Sequence, residues 1–377
     1  MELLNFGPKK LGFGCMRLPM SEGTVGGEGV VDTRQVCAMV DAFLEQGFCY
    51  FDTAHGYIAQ KSEPTVRQCL VERHPRDRYL LTDKLSGTFF QTEEEIRPFF
   101  ESQLEITGAG YFDFYLMHAL NANQYQKFTE CNAFQVAQQL KNEGKIRHVG
   151  ISFHDTPEVL EQILSEHPEI EVVQIQFNYA DLEDPKVQSL AVYEVCRRHG
   201  KPIIIMEPVK GGALANLPEA AGQILDRLQG GSRASYAIRF AASFEGVAMV
   251  LSGMSSLEQM QDNLSYMSSF QPLTQPEQEA VRRAGAVLKN QEAIACTACR
   301  YCEAGCPMRI PIPDLFAGFN GKKQGSPVRG RSQLPFASIS SGTPNLLPSS
   351  SKSQARGSGA APSCGGGASS WASMNRV

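Results

Sequence analysis

The sequence predicts an α/β chain: a parallel (β/α)8 barrel of the TIM type, then a short cysteine-rich segment and a disordered tail. Three observations carry this expectation. Eight β-branched or aromatic runs of strand length alternate with longer amphipathic ones. The alternation stops near Asn290, and four cysteines then crowd into residues 296–306. Beyond them, Ser, Gly and Pro make up half of residues 324–377.

The expected strands are residues 10–14, 49–53, 79–82, 112–117, 147–151, 172–176, 202–206 and 248–251. Helical patterns fall between them at 34–46, 93–104, 124–142, 157–164, 186–198 and 257–266. In the first of these, Val36, Met39, Val40 and Phe43 share one face. Repeated strand–helix units force parallel strands through right-handed crossovers. Eight units with no interruption long enough for a second sheet favour a closed barrel, the alternative being an open doubly wound sheet. The organisation is then a barrel over 1–275, a helical linker with the cysteine cluster over 276–323, and a tail over 324–377. Seven basic side chains and no acidic one follow Asp314, and such a segment cannot bury enough apolar surface to offset its ordering entropy.

Composition narrows the function classes. With 35 basic and 40 acidic side chains the net charge is −5, which argues against a nucleic-acid partner. No apolar run approaches the roughly 18 residues a membrane span needs. Residues 1–10 hold no signal-peptide-like stretch, so a cytoplasmic location is expected. Cys15, Cys37, Cys49, Cys69, Cys131 and Cys196 are scattered among apolar neighbours and read as reduced, buried thiols.

Chemistry in such a barrel sits where strands end at the carboxyl face. The second strand leads into Asp52-Thr53-Ala54-His55-Gly56-Tyr57, the third into Asp83-Lys84, and the fourth into His118. An acid, a phenol, an ammonium and an imidazole therefore emerge from three neighbouring strand ends. With Leu11-Gly12-Phe13-Gly14 in the opening strand, this pattern resembles the aldo/keto reductase family, whose catalytic tetrad is Asp, Tyr, Lys and His. The resemblance covers about residues 8–270 and implies an NAD(P)H-dependent oxidoreductase interconverting a small-molecule carbonyl and an alcohol. It makes Tyr57 the general acid, Lys84 its electrostatic partner, Asp52 the group that orients Lys84, and His118 the group that holds the carbonyl oxygen or assists the proton relay. An ammonium within a few Å is expected to lower the phenol's pKa from about 10.

The same resemblance nominates a nucleotide cradle. Ser152 matches the family's Gly-x-Ser-Asn stretch, with Phe153 in place of Asn, and Gln174 matches the glutamine that binds the nicotinamide carboxamide. Met206 stands where an aromatic ring often stacks, and Lys210 and Gly211 fit a loop approaching pyrophosphate. After the eighth strand, Gly253 and Gln259 replace the Lys and Arg that grip the 2′-phosphate of NADPH, and Asn263 follows. The choice between NADPH and NADH stays open.

Residues 296–307 read Cys-Thr-Ala-Cys-Arg-Tyr-Cys-Glu-Ala-Gly-Cys-Pro, the Cys-x2-Cys-x2-Cys-x3-Cys-Pro run of bacterial-type ferredoxins. It implies a [4Fe–4S] cluster on Cys296, Cys299, Cys302 and Cys306, serving electron transfer to a redox protein partner or bracing the C-terminus. A second such run, which a two-cluster ferredoxin needs, does not follow; only Cys364 does. The tail is either a natural linker-like end or the product of a reading frame that slipped near 325–331. The rival to an enzyme is a non-catalytic or electron-transfer barrel that serves as a scaffold for redox partners.

Overall fold

A computed structural model describes residues 4–23, 29–289, 294, 296, 301–304, 306, 308 and 310–323. The eight expected strands form as β1 Leu11–Gly14, β2 Tyr50–Asp52, β3 Leu80–Ser86, β4 Phe112–Leu120, β5 Ile146–Phe153, β6 Val172–Gln176, β7 Ile203–Met206 and β8 Val247–Ser252. All neighbouring pairs are parallel, and β1 pairs with both β2 and β8, so the sheet closes into a barrel. Closure leaves no open edge and fixes which residues point inward.

Two apolar layers follow from the strand alternation. Inside the barrel, Tyr50, Phe114, Leu116, Val172, Ile204, Met249 and Leu251 fill the lower part, and Phe6 stacks on Phe114 at 5.1 Å. Gly12 and Gly150 make room there: a Cβ on Gly150 would come within 2.6 Å of the Val172 carbonyl oxygen. Outside, the strands meet the helices through a larger core. Helix Thr33–Glu45 contributes Val36, Met39, Val40, Phe43 and Leu44, the expected face. It begins at Asp32, whose carboxylate accepts from the Gln35 N–H, and ends at Gly47 with φ 78°.

The expected helix over 124–142 is two helices, Ala122–Glu130 and Ala133–Asn142. Asn132 breaks it at φ 52°, a conformation asparagine tolerates, and its side chain donates to Glu93 Oε2 at 2.6 Å. Strand β4 runs past its expected end through a bulge, with a register shift between Met117 and Leu120 and Ala119 at φ 54°. A hairpin of Met20–Gly23 and Gly29–Val31 was not foreseen. Helix Gln275–Lys289 packs on helix Glu219–Asp226, and its Ala280, Val281 and Ala284 are buried.

The ferredoxin-like segment expected after the barrel falls partly outside the described residues, as Cys299 does; the expected disordered tail at 324–377 lies wholly outside them. Helix Ile312–Lys323 is described, and its Asn320 exchanges two 2.8 Å hydrogen bonds with the backbone of Ile294. Among the described residues no group of three metal-ligating side chains is assembled, and no helix is long and apolar enough to cross a membrane. Of the scattered cysteines, Cys15, Cys69, Cys131 and Cys196 are buried, whereas Cys37 and Cys49 are half-buried.

Candidate active site

Parallel register sets the upper layer of the barrel. Gly14 lies beside Asp52, Asp52 beside Thr82, Ser86 beside His118, and Ser152 beside Gln174. Lys84 follows two residues after Thr82 on β3 and points to the same interior face. Its side chain is fully buried, and its Nζ donates to Asp52 Oδ1 at 2.6 Å, to the Thr53 carbonyl at 2.8 Å and to the Tyr57 hydroxyl at 3.1 Å. Asp52 is also buried, and its second oxygen accepts from Gln174 Nε2 at 3.1 Å.

Tyr57 reaches the lysine from the loop after β2. Three residues in left-handed conformation follow it, Ile58, Ala59 and Gln60, with φ 52°, 49° and 67°. Each such residue costs roughly 1–2 kcal/mol, so the turn persists only because its surroundings hold it. The Ser62 hydroxyl supplies part of that hold, donating to the Cys15 carbonyl at 3.0 Å. His118 sits at the β4 bulge, a device that re-aims side chains next to sites. Its ring meets Tyr57 edge-on at 5.8 Å, and its Nδ1 lies 2.6 Å from Ser86 Oγ.

The expected direction of the Tyr57 pKa is overturned. Burial, followed by the charge of Asp52, pushes the phenol well above its ordinary range. One ammonium already neutralised by Asp52 does not outweigh that environment. Burial first, and Lys84's charge second, hold His118 well below the usual imidazole range. The same two causes bring His154 down to about 4.

The two depressed imidazoles give a stability prediction. Unfolded, each binds a proton near pH 6.5; folded, each binds it only at lower pH, about 4 for His154. Between those values the unfolded chain holds more protons, so stability rises with pH and falls as pH drops from 6.5 towards 4. Urea midpoints over that range are expected to decline more steeply for the natural chain than for His154→Gln. Parallel curves would contradict the assignment.

The nominated cradle residues are only partly gathered. Ser152 and Gln174 are buried side by side, and Met206 is half-buried at the end of β7. Lys210 is ion-paired with the buried Asp181, which Asn178 and Gln176 also bind, and Gly211 takes φ 63° beside it. Gln259 turns back to accept from the Ser255 N–H at 2.8 Å. Asn263 is buried and spends its amide on Ser252 Oγ and the Tyr266 hydroxyl. Gly253 is flanked by Arg17: a Cβ there would lie 3.1 Å from Arg17 Cδ.

Sequence reasoning missed the residues behind this layer, Glu63, Asp83, Gln103 and His55. One signal was present. Parallel strands covered by helices are buried on both faces, so Asp83 beside an inward Lys84 had to be buried too.

A buried lysine bonded to an aspartate and a tyrosine at the carboxyl end of a parallel barrel, with an imidazole beside them, marks an oxidoreductase. The model of the aldo/keto reductase family matches residues 10–286, and the chain belongs to that family. No curated protein matches the sequence. Among solved structures, an aldo-keto reductase from Klebsiella pneumoniae in complex with NADPH is 21% identical with a TM-score of 0.58, covering 73% of this chain and 90% of that one. An aldo-keto reductase from Bacillus halodurans in its holo form is 24% identical with a TM-score of 0.59, covering 73% and 91%. A thermostable aldo-keto reductase in complex with the inhibitor epalrestat is 19% identical with a TM-score of 0.58, covering 73% and 94%. At these identities the likeness speaks for the fold.

Proposed function

We propose that this chain reduces a small carbonyl compound to an alcohol with a nicotinamide nucleotide, and that Tyr57 is the proton donor. The observation that carries the reading is the Tyr57 hydroxyl held at 3.1 Å by a lysine that is itself buried against Asp52. The bound nucleotide supplies the hydride. Negative charge then grows on the carbonyl oxygen, and Tyr57 passes its proton there. Lys84 stabilises the phenolate left behind, while Asp52, fixed by Gln174, keeps the ammonium aimed. The raised pKa of Tyr57 keeps the donor protonated near neutrality, as reduction requires. It disfavours the reverse reaction near neutrality, where Tyr57 must first lose its proton. His118, kept neutral, offers a hydrogen bond to the carbonyl oxygen without adding charge.

For the nucleotide, Ser152 and Gln174 would hold the nicotinamide amide, Met206 at the end of β7 would pack against its ring, and the loop at Gly211 would approach the pyrophosphate, with Lys210 held by Asp181. The NADPH of the Klebsiella relative favours that nucleotide here. With Gly253 and Gln259 at the clamp positions, Arg17 lying along Gly253 is the cation we assign to the 2′-phosphate. Fluorescence titration is expected to show NADPH binding that Arg17→Ala weakens by about tenfold or more, with NADH little affected. Binding of neither nucleotide would favour the scaffold reading instead.

The cysteine run extends the proposal to a [4Fe–4S] cluster on Cys296, Cys299, Cys302 and Cys306. Its support is the spacing and the donor chemistry: Cys296 and Cys302 are exposed and Cys306 half-buried, near a segment laced to helix Ile312–Lys323. Anaerobically purified protein is expected to carry iron and acid-labile sulfide in equal amounts, lost on Cys302→Ser. Zinc without sulfide would replace the cluster by a zinc site.

A further inference from the structure

Behind β3 lies a polar cluster for which the proposed proton transfer has no use. Asp83 precedes Lys84, and strand alternation turns its carboxyl away from the barrel interior into the layer beneath the helices. There it is fully buried, and so are Glu63 of helix Ser62–Val66 and Gln103 of helix Glu93–Thr107. The Gln103 amide nitrogen donates to Asp83 Oδ1 and to Glu63 Oε1, both at 3.0 Å, and lies 3.2 Å from the Lys84 carbonyl. Its oxygen accepts from the Tyr115 hydroxyl at 2.6 Å. Glu63 Oε2 is 2.7 Å from His55 Nδ1, and Asp83 Oδ1 accepts from the Lys84 N–H at 2.8 Å. No donor among the described residues reaches Asp83 Oδ2.

Two carboxylates on one amide, out of water, repel each other, and an ionised oxygen without a donor is costly. A single proton removes both penalties. We propose that Asp83 and Glu63 share one proton, seated on Asp83, and that the neutral Asp83 keeps a second negative charge away from Lys84 and Tyr57. Burial, then the charge of Glu63, drives Asp83 well above the usual carboxyl range against the pull of Lys84. Tyr57 itself faces Asp52, Lys84, His118, Cys15 and Glu207, and a charge at Asp83 would raise its pKa further. Asp83 and Glu63 are thus positioning residues that act through the lysine and the tyrosine.

The role at Tyr57 rests on the proposed function; the shared proton does not, and two measurements separate them. Infrared spectra of the full-length protein at neutral pH are expected to show a protonated-carboxyl C=O band. That band should move on labelling aspartate with carbon-13 and vanish in Asp83→Asn. Its absence from the natural protein overturns the pair, whatever the variants do. The second measurement is the rate of oxidation of a probe benzylic alcohol by NADP⁺ at fixed pH below the phenol's pKa. Glu63→Gln removes one carboxylate while burial keeps Asp83 neutral, and is expected to speed the reaction about threefold. Asp83→Asn should match the natural rate, and the double variant should exceed it. If both single variants accelerate the reaction, the two carboxylates are ionised and the proposal fails. If the band is present but no variant changes the rate, the shielding of Tyr57 is overturned and the shared proton stands.

Discussion

Tyr57→Phe is expected to lower kcat by about 10²–10⁴-fold while nucleotide affinity stays within about twofold. The substitution removes one oxygen from a buried ring whose packing is otherwise set by His118 and by the Lys84 ammonium 4.8 Å from its centre. The ring therefore stays, and only the proton donor is lost. Water entering the gap explains why the loss is not total. Initial rates with a panel of small aldehydes, alongside fluorescence titration with NADPH, check both halves of this statement. A variant that turns over at the natural rate would leave Tyr57 a packing residue and remove the chemical argument.

Lys84→Met is expected to cost about 3–5 kcal/mol of folding stability as well as the reaction. Methionine fills much of the volume, but Asp52, 3% exposed, is then left as a buried charge with only the Gln174 amide to face. The Lys84–Asp52 pair at 2.6 Å belongs to the class in which deleting one partner is far worse than deleting both. Asp52→Asn combined with Lys84→Met should therefore recover most of the stability lost by Lys84→Met alone. Urea unfolding of the two single variants, the double variant and the natural chain gives the coupling directly. Strictly additive losses would mean that the pair is not desolvated as described.

Much of this could be read from the chain because local signals and the fold agree. The eight strands announce themselves as β-branched runs, and in a parallel barrel the residues at their ends share one mouth, so Asp52, Tyr57, Lys84 and His118 could be grouped without coordinates. What escaped depends on distant partners. The break at Asn132 answers to Glu93, the Lys210 ammonium is claimed by Asp181, and Asp83 meets Glu63 through Gln103. No local window contains both members of any of these sets. The sign of the Tyr57 shift failed for a related reason: spacing reveals the neighbouring cation, whereas burial and the surrounding acids emerge only when the barrel closes.

The valence of the Lys84 ammonium has a consequence for ligands. An ammonium has three hydrogens, and here Asp52, the Thr53 carbonyl and Tyr57 take one each. None remains to greet an incoming oxygen. An inhibitor bearing a carboxylate cannot be captured by this cation without first tearing a buried contact apart, so its grip must come from the phenol and the imidazole at the rim.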